Sequence, residues 1–235
     1  YTIDVAKALK DHDIEKAYRI LDDRGSITEA ADRDERIKIT SGKYVAAGEG
    51  ALALTITNRD RVDLIAEIRQ QEKVLGRIGI EDHTYNVRQP VNLTGVDKRI
   101  AARYEPGNSI FLNKPVGELK QGAEAQIIGR DTVNNTITVS ADGKEHVIGL
   151  RQHGGHVSQF AETPTAFSEG EKIVWTKNDN TEYGKENIKN GVSGTIQSID
   201  KDTGTATIRT EFDKTVEVTL EGAYITNGQA TTVDK

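Results

Sequence analysis

Cysteine and methionine are both absent from the chain. Lack of cysteine excludes disulfides, thiolate metal sites and thiol nucleophiles, and it fits a protein that lives in or passes through reducing cytoplasm. No run of 18 apolar residues occurs, so no membrane-spanning helix is expected, and no leader-like segment stands at the start. Positive charge is in the minority: 31 Lys and Arg stand against 37 Asp and Glu, for a net charge of −6. The bulk field therefore opposes nucleic acid, and any binding to it needs a local basic patch. A chain that opens on Tyr1 and holds no methionine is expected to be an internal part of a longer protein. At 235 residues, with 35% hydrophobic and 29% charged positions, it can build two or three modest cores.

What the chain does contain is a repeated β-rich pattern. Residues 167–200 open with an acidic turn ending at Gly170, followed by the short apolar run Lys172-Ile173-Val174-Trp175-Thr176. A polar loop carrying Tyr183 and Lys185 leads to the turn Lys189-Asn190-Gly191 and to a second strand, 193–200. Two more strands follow, 205–209 and 215–220. Short strands punctuated by Gly, Asn and Asp predict a small SH3-like barrel. The pattern occurs earlier in the same order. Gly107 falls on Gly170, Ile110 on Ile173, Leu112 on Trp175, Ile127 on Ile196, Asp131 on Asp200 and Val147 on Val216. This predicts an internal structural repeat.

The flanks read differently. Ile14, Ala17, Tyr18 and Leu21 share one helical face, with Asp13 placed to cap it. Residues 26–30 predict a short strand, and Asp32 starts another helix. Residues 51–56 form a continuous apolar run, as in a strand buried on both faces of a parallel sheet. Thr57-Asn58-Arg59-Asp60 then caps the next helix. Helix, strand, cap and helix is one step of a doubly wound α/β unit. Residues 78–80 and 85–91 predict extended segments, 94–102 a short helix, and 161–166, with Pro164, a linking loop. The segment 223–226 predicts a strand that returns the chain to the α/β sheet.

Together these stretches carry a resemblance. Residues 52–69 resemble the strand, Thr-Asn turn and helix of the second motor domain in RecD-like helicases. Residues 92–99 (NLTGVDKR), 103–107 (RYEPG) and 167–172 leading to Gly194-Thr195-Ile196 resemble the TraI-type, F-like family of conjugative relaxase–helicases. The resemblance covers nearly the whole chain. It implies an α+β fold in which a partial RecA-like α/β piece carries two inserted SH3-like barrel subdomains. The implied boundaries are 1–75 for the motor piece, 76–103 for a connector, 104–160 and 161–221 for the two subdomains, and 222–235 for the return strand. It further implies a translocation signal read by the coupling protein of a type IV secretion system, association with single-stranded DNA during plasmid transfer, and a cytoplasmic protein carried into the recipient cell. The parent would use ATP and magnesium.

The motor's own chemistry is missing from the sequence. There is no phosphate loop, since Asp142-Gly143-Lys144-Glu145 lacks both the hydroxyl residue and the upstream glycines. The chain is therefore expected to be non-catalytic and to hold no cofactor or metal of its own. His153-Gly154-Gly155-His156 suggests a metal only weakly, because no further ligands are placed. An accessory DNA-guiding part of an active helicase is one alternative, and a tandem SH3-like nucleic-acid module is another. Thr57, Asn58, Arg59 and Arg61 stand at a helix start, which suits either a phosphate or ordinary capping. Arg88, Lys98, Arg99 and Arg103 form a basic cluster, and Trp175 and Lys177 are further DNA candidates, with Trp175 read either as a stacking platform or as core. Asn180, Tyr183, Lys185 and Lys189, in and after the long polar loop, are the candidates for partner contact.

Overall fold

The structure, a computed structural model, describes residues 1–48, 50–178 and 188–232. Among these the chain is mixed α+β: five α-helices, antiparallel sheets of six and five strands, and a small parallel pair. It divides into two compact units, one built from residues 1–71 with the segment from 230 onward, the other from 72–229.

The first unit begins with α1 (Thr2–Lys10), α2 (Ile14–Asp22) and α3 (Arg33–Ala47), followed by β1 (Ala53–Thr55) and α4 (Asn58–Val74). Asp13 accepts the Lys16 amide at 3.1 Å and Asp32 accepts the Glu35 amide at 2.8 Å, so both helices start where their caps stand. The core gathers Val45, Ala53, Leu64, Ile65 and Ile68. Residues 26–30, expected as a strand, form no regular element. The run 51–56 was expected to be buried on both faces, but its strand spans three residues and buries one. Ala53 and Thr55 face inward, while Leu52, Leu54 and Ile56 are exposed. α4 covers the inward face, through Leu64, Ile65 and Ile68, and nothing among the described residues of this unit covers the other.

The second unit consists of two sheets of matched design. β2 (His83–Pro90) leads into β3 (Ser109–Leu112), β4 (Glu124–Asp131), β5 (Thr136–Ala141) and β6 (Lys144–Gly149), then α5 (Leu150–His153) and the long β7 (Val157–Phe167). The chain goes on through β8 (Lys172–Trp175), β9 (Ser193–Asp200), β10 (Thr205–Thr210), β11 (Thr215–Thr219) and β12 (Ile225–Asn227). The orders are β2-β7-β3-β4-β5-β6 and β11-β10-β9-β8-β12. In both, a four-strand meander is followed by a strand that pairs antiparallel with the first: β7 with β3, and β12 with β8.

The match extends to single hydrogen bonds. The Gly107 and Gly170 amides donate to Ile127 and Ile196 carbonyls, both at 2.8 Å; the Gly122 and Gly191 amides donate to Leu112 and Trp175 carbonyls, also at 2.8 Å. All four glycines have positive φ, between 82° and 95°, where a side chain is strained. Asp131 and Asp200 each accept turn amides two and three residues on. β4 and β9 both shift register after their inward isoleucine, Ile127 or Ile196. Each sheet encloses its own core, around Ile110, Ile127, Ile137 and Ile148 in the first and around Ile173, Trp175, Ile196 and Ile208 in the second.

The two sheets are open, with β2 and β6 outermost in one and β11 and β12 in the other, so neither closes into the barrel expected, and five further expectations need correction. Val147 does not match Val216. Asp142-Gly143 makes a two-residue hairpin turn with φ of 49° and 75°, whereas the β10–β11 turn is longer and places its left-handed residue at Asp213. The extra residue moves the register by one, so that Ile148 matches Val218, and Val147 is 68% exposed. Residues 161–166 are strand, not loop. β7 pairs with β2 from 160 to 167 but with β3 only from 157 to 160, so Pro164 lies where one edge is open and its missing N–H costs little. Finally, 225–227 completes the second repeat by pairing with β8. The strand that rejoins the first unit is β13 (Ala230–Thr232), parallel to β1. In place of a helix over 94–102 there are two 3-10 turns, Asp97–Arg99 and Ala101–Arg103, and residues 78–80 form no strand.

Candidate functional site

At the start of α4 the capping alternative describes the geometry. The Thr57 hydroxyl accepts the Asp60 amide at 3.1 Å and donates to the Asp60 carboxylate at 2.8 Å. Asp60 also receives Arg33 Nε at 2.7 Å, and Arg33 reaches Asp63 at 2.5 Å. The Thr57 hydrogen bond, and after it Arg33, hold Asp60 below the usual carboxylate range. A carboxylate thus occupies the positive end of the helix, where a phosphate would otherwise sit. Asn58 and Arg59 are exposed beside it, and Arg61 is half-buried, its guanidinium pKa lowered by desolvation.

The structure separates the basic candidates of the second unit. Arg88 and Lys177 meet where the two repeats adjoin, and both face Glu124. Arg88 donates to Glu124 at 3.0 Å and to the Tyr224 hydroxyl at 3.2 Å, and Lys177 forms an ion pair with the same carboxylate. The Lys177 ammonium lies 4.2 Å from the Tyr224 ring centroid and 4.5 Å from that of Phe111, and its side chain is only 11% exposed. Burial, then Glu124, pushes the Tyr224 phenol well above its usual value, so it stays protonated. These cations join the repeats and leave little charge for a DNA backbone. Trp175 is core, 1% exposed, and presents no face on which a base could stack.

Lys98, Arg99 and Arg103 lie together on the two 3-10 turns. Arg103 pairs with Asp97 at 3.2 Å, whereas Lys98 and Arg99 have no ion pair among the described residues. Their main chain is fastened: the Tyr104 hydroxyl donates to the Lys98 carbonyl and Asn135 Nδ2 to the Arg99 carbonyl, both at 2.8 Å. The same packing brings α5 against them, with exposed Arg151, a cation that sequence reasoning missed. Gly154 makes the approach possible, because a Cβ there would fall 2.1 Å from the Lys98 carbonyl oxygen. The two glycines between the histidines are thus in part a packing device. The His153 and His156 rings lie 5.6 Å apart, and no group of three His, Asp or Glu suited to a metal exists among the described residues.

Lys189 is exposed in the turn before β9, and the Asn190 amide donates to Asn178 Oδ1 at 2.8 Å, drawing together the two ends of the polar loop. Asn180, Tyr183 and Lys185 lie outside the described residues. Compared with known proteins, the chain matches no family model and no curated protein.

Proposed function

We propose that this chain is a non-catalytic part of a conjugative relaxase–helicase, a folded translocation signal recognised by the coupling ATPase of a type IV secretion system. On this reading the two matched sheets are SH3-like subdomains inserted into a partial RecD-like motor piece. The observation that carries it is the placement of the repeat. The chain leaves the first unit after α4, builds two copies of one five-strand unit, and rejoins β1 through β13. An insertion of two related β-rich units into an α/β piece is what the resemblance at 52–69, 92–107 and 167–196 implies, and the placement of the repeat supports it. Asp142-Gly143, in the stretch weighed above as a phosphate loop, serves as a hairpin turn, which supports a role without nucleotide hydrolysis. The site is a surface, and Asn180, Tyr183, Lys185 and Lys189 are its candidate contacts.

The test is transfer of a cargo fused to this chain. Substituting Asn180, Tyr183 and Lys185 lowers transfer while the circular dichroism spectrum is retained. Ile173→Asp abolishes transfer by unfolding, because it buries an unpaired charge at a fully buried position. Normal transfer by the loop variants, with a short unfolded peptide from the chain sufficient as signal, would refute the folded-surface reading. A DNA-guiding role is the second reading, favoured by Lys98 and Arg99, which have no ion pair among the described residues, beside Arg151. It predicts weak, salt-sensitive binding of single strands that is lost on reversing those charges.

A further inference from the structure

β6 is an outer strand of the six-stranded sheet, and no strand among the described residues pairs with its other side. Ala141 and Lys144 flank the two-residue turn and pair across it, as do Val139 with His146 and Ile137 with Ile148. In an antiparallel ladder these pairs exchange their hydrogen bonds, so residues 145, 147 and 149 turn their N–H and C=O groups to the open edge. Natural edge strands are commonly protected by proline, a bulge or a central lysine. β6 has no proline and no bulge; its one lysine is Lys144, at the turn, and the middle of the strand carries the exposed Val147.

A cleft of about 480 Å³ lies along this edge, with residues 145–149 on one side and the turn 116–119 on the other. That turn is closed by its own main chain: Val116 and Leu119 exchange amide–carbonyl bonds at 2.9 and 3.0 Å around Gly117, whose φ is 58°. Ile148, Val116 and Leu119 are buried apolar residues lining the cleft. Glu118 and Glu145 line it as well, and neither is in an ion pair among the described residues.

We propose that this edge and cleft accept an extended, positively charged peptide segment of another protein, which adds as a strand beside β6. The main chain of residues 145, 147 and 149 would supply hydrogen bonds, and the cleft would receive alternate side chains of the segment. Glu118 and Glu145 set the charge preference, selecting lysine or arginine at the flanking positions and disfavouring a nucleic-acid backbone. The proposal does not depend on the secretion reading, whose candidate contacts lie in the second repeat.

Two fluorescent seven-residue probes test it on the whole chain: alternating lysine and valine, and alternating glutamate and valine. The lysine probe binds and the glutamate probe does not. Its addition shifts the amide resonances of Glu145, Val147 and Gly149 and leaves those of β11 in place. Val147→Pro removes an outward N–H that no strand of this sheet uses, so the fold is kept and binding falls about tenfold. Glu118→Lys with Glu145→Lys reverses the preference between probes, which keeps the test decisive if the proline variant fails to fold. Equal binding of both probes, no binding by wild type at millimolar probe, or a folded Val147→Pro chain that binds as wild type would overturn the proposal. So would self-association that Val147→Pro abolishes, since the edge would then belong to a second copy of the chain.

Discussion

Gly107 and Gly170 hold the same place in the two repeats but have different surroundings. Both have positive φ, 95° and 82°. A Cβ at 107 meets nothing within 4 Å, whereas one at 170 falls 2.6 Å from the Arg77 carbonyl oxygen. Gly107→Ala should therefore cost about 1–2 kcal/mol, the left-handed strain alone, and Gly170→Ala about 1–3 kcal/mol more, from overpacking. Urea unfolding of the two variants measures the difference, and equal losses would show that the Arg77 backbone yields freely. Glu72 gives a second test. Burial, with the nearby Glu171 carboxylate adding to it, raises its pKa, against Arg77, the Gln229 amide and Lys172, which lower it. Gln229 also donates to Glu171 at 3.1 Å, so two carboxylates share one amide group. A carboxyl whose folded pKa lies above its unfolded one keeps its proton longer in the folded state. Stability contributed by this group then falls as pH rises from the ordinary glutamate range through the raised value, and stays low above it. Glu72→Gln should flatten that fall and leave the protein more stable than wild type at neutral pH, as read by urea midpoints between pH 4 and 8. A variant less stable than wild type at pH 7 would show that the charge is favourable where it stands.

At the scale of elements, the sequence was legible where local chemistry has a fixed position. Asp13, Asp32 and Thr57 announce three helix starts, and each makes the capping bond its type implies. The glycines at 107 and 170, and at 122 and 191, mark turns that need positive φ, and together with the ordered apolar positions between them they made the repeat legible. What was illegible depends on pairing. Pro164 argued for a loop because proline breaks ladders, and only the short reach of β3 along β7 shows that one edge there is free. The β10–β11 turn differs by one residue from its counterpart, and a single residue exchanges inside for outside on every position that follows. The basic cluster was legible only in part. Lys98, Arg99 and Arg103 are close in sequence and close in space, but Arg88 belongs with Glu124, and Arg151 joins the others through the contact at Gly154, some fifty positions away. Trp175 illustrates the same limit, because stacking platform and core residue have one spelling and burial alone tells them apart.

At the scale of the whole second unit, the question is whether two cores make two folding units. Each repeat encloses its own cluster, but three features tie them together. β7 serves both: Val157 lies in the first core and Phe167 in the second. β2 pairs along β7 and contributes Val87 to the second core. Across the junction, Arg88 and Lys177 share Glu124, and the Phe160 ring packs edge-on against Tyr224 with centroids 4.9 Å apart. Unfolding one repeat would part Glu124 from Arg88 and Lys177 and expose the Phe160 and Tyr224 rings, so partial unfolding is costly. The two repeats should therefore unfold in one step. Trp175, the only tryptophan, lies in the second core and reports on that repeat alone. Ile137 is fully buried in the first core. Ile137→Ala should destabilise by about 2–5 kcal/mol through its cavity, and the loss should be seen by Trp175 fluorescence as a lowered urea midpoint with an unchanged slope. Ile208→Ala, a cavity in the second core, serves as the direct control. If Trp175 keeps the wild-type midpoint in Ile137→Ala while circular dichroism records an earlier loss, the repeats unfold independently and the junction around Glu124 joins them without coupling their stability.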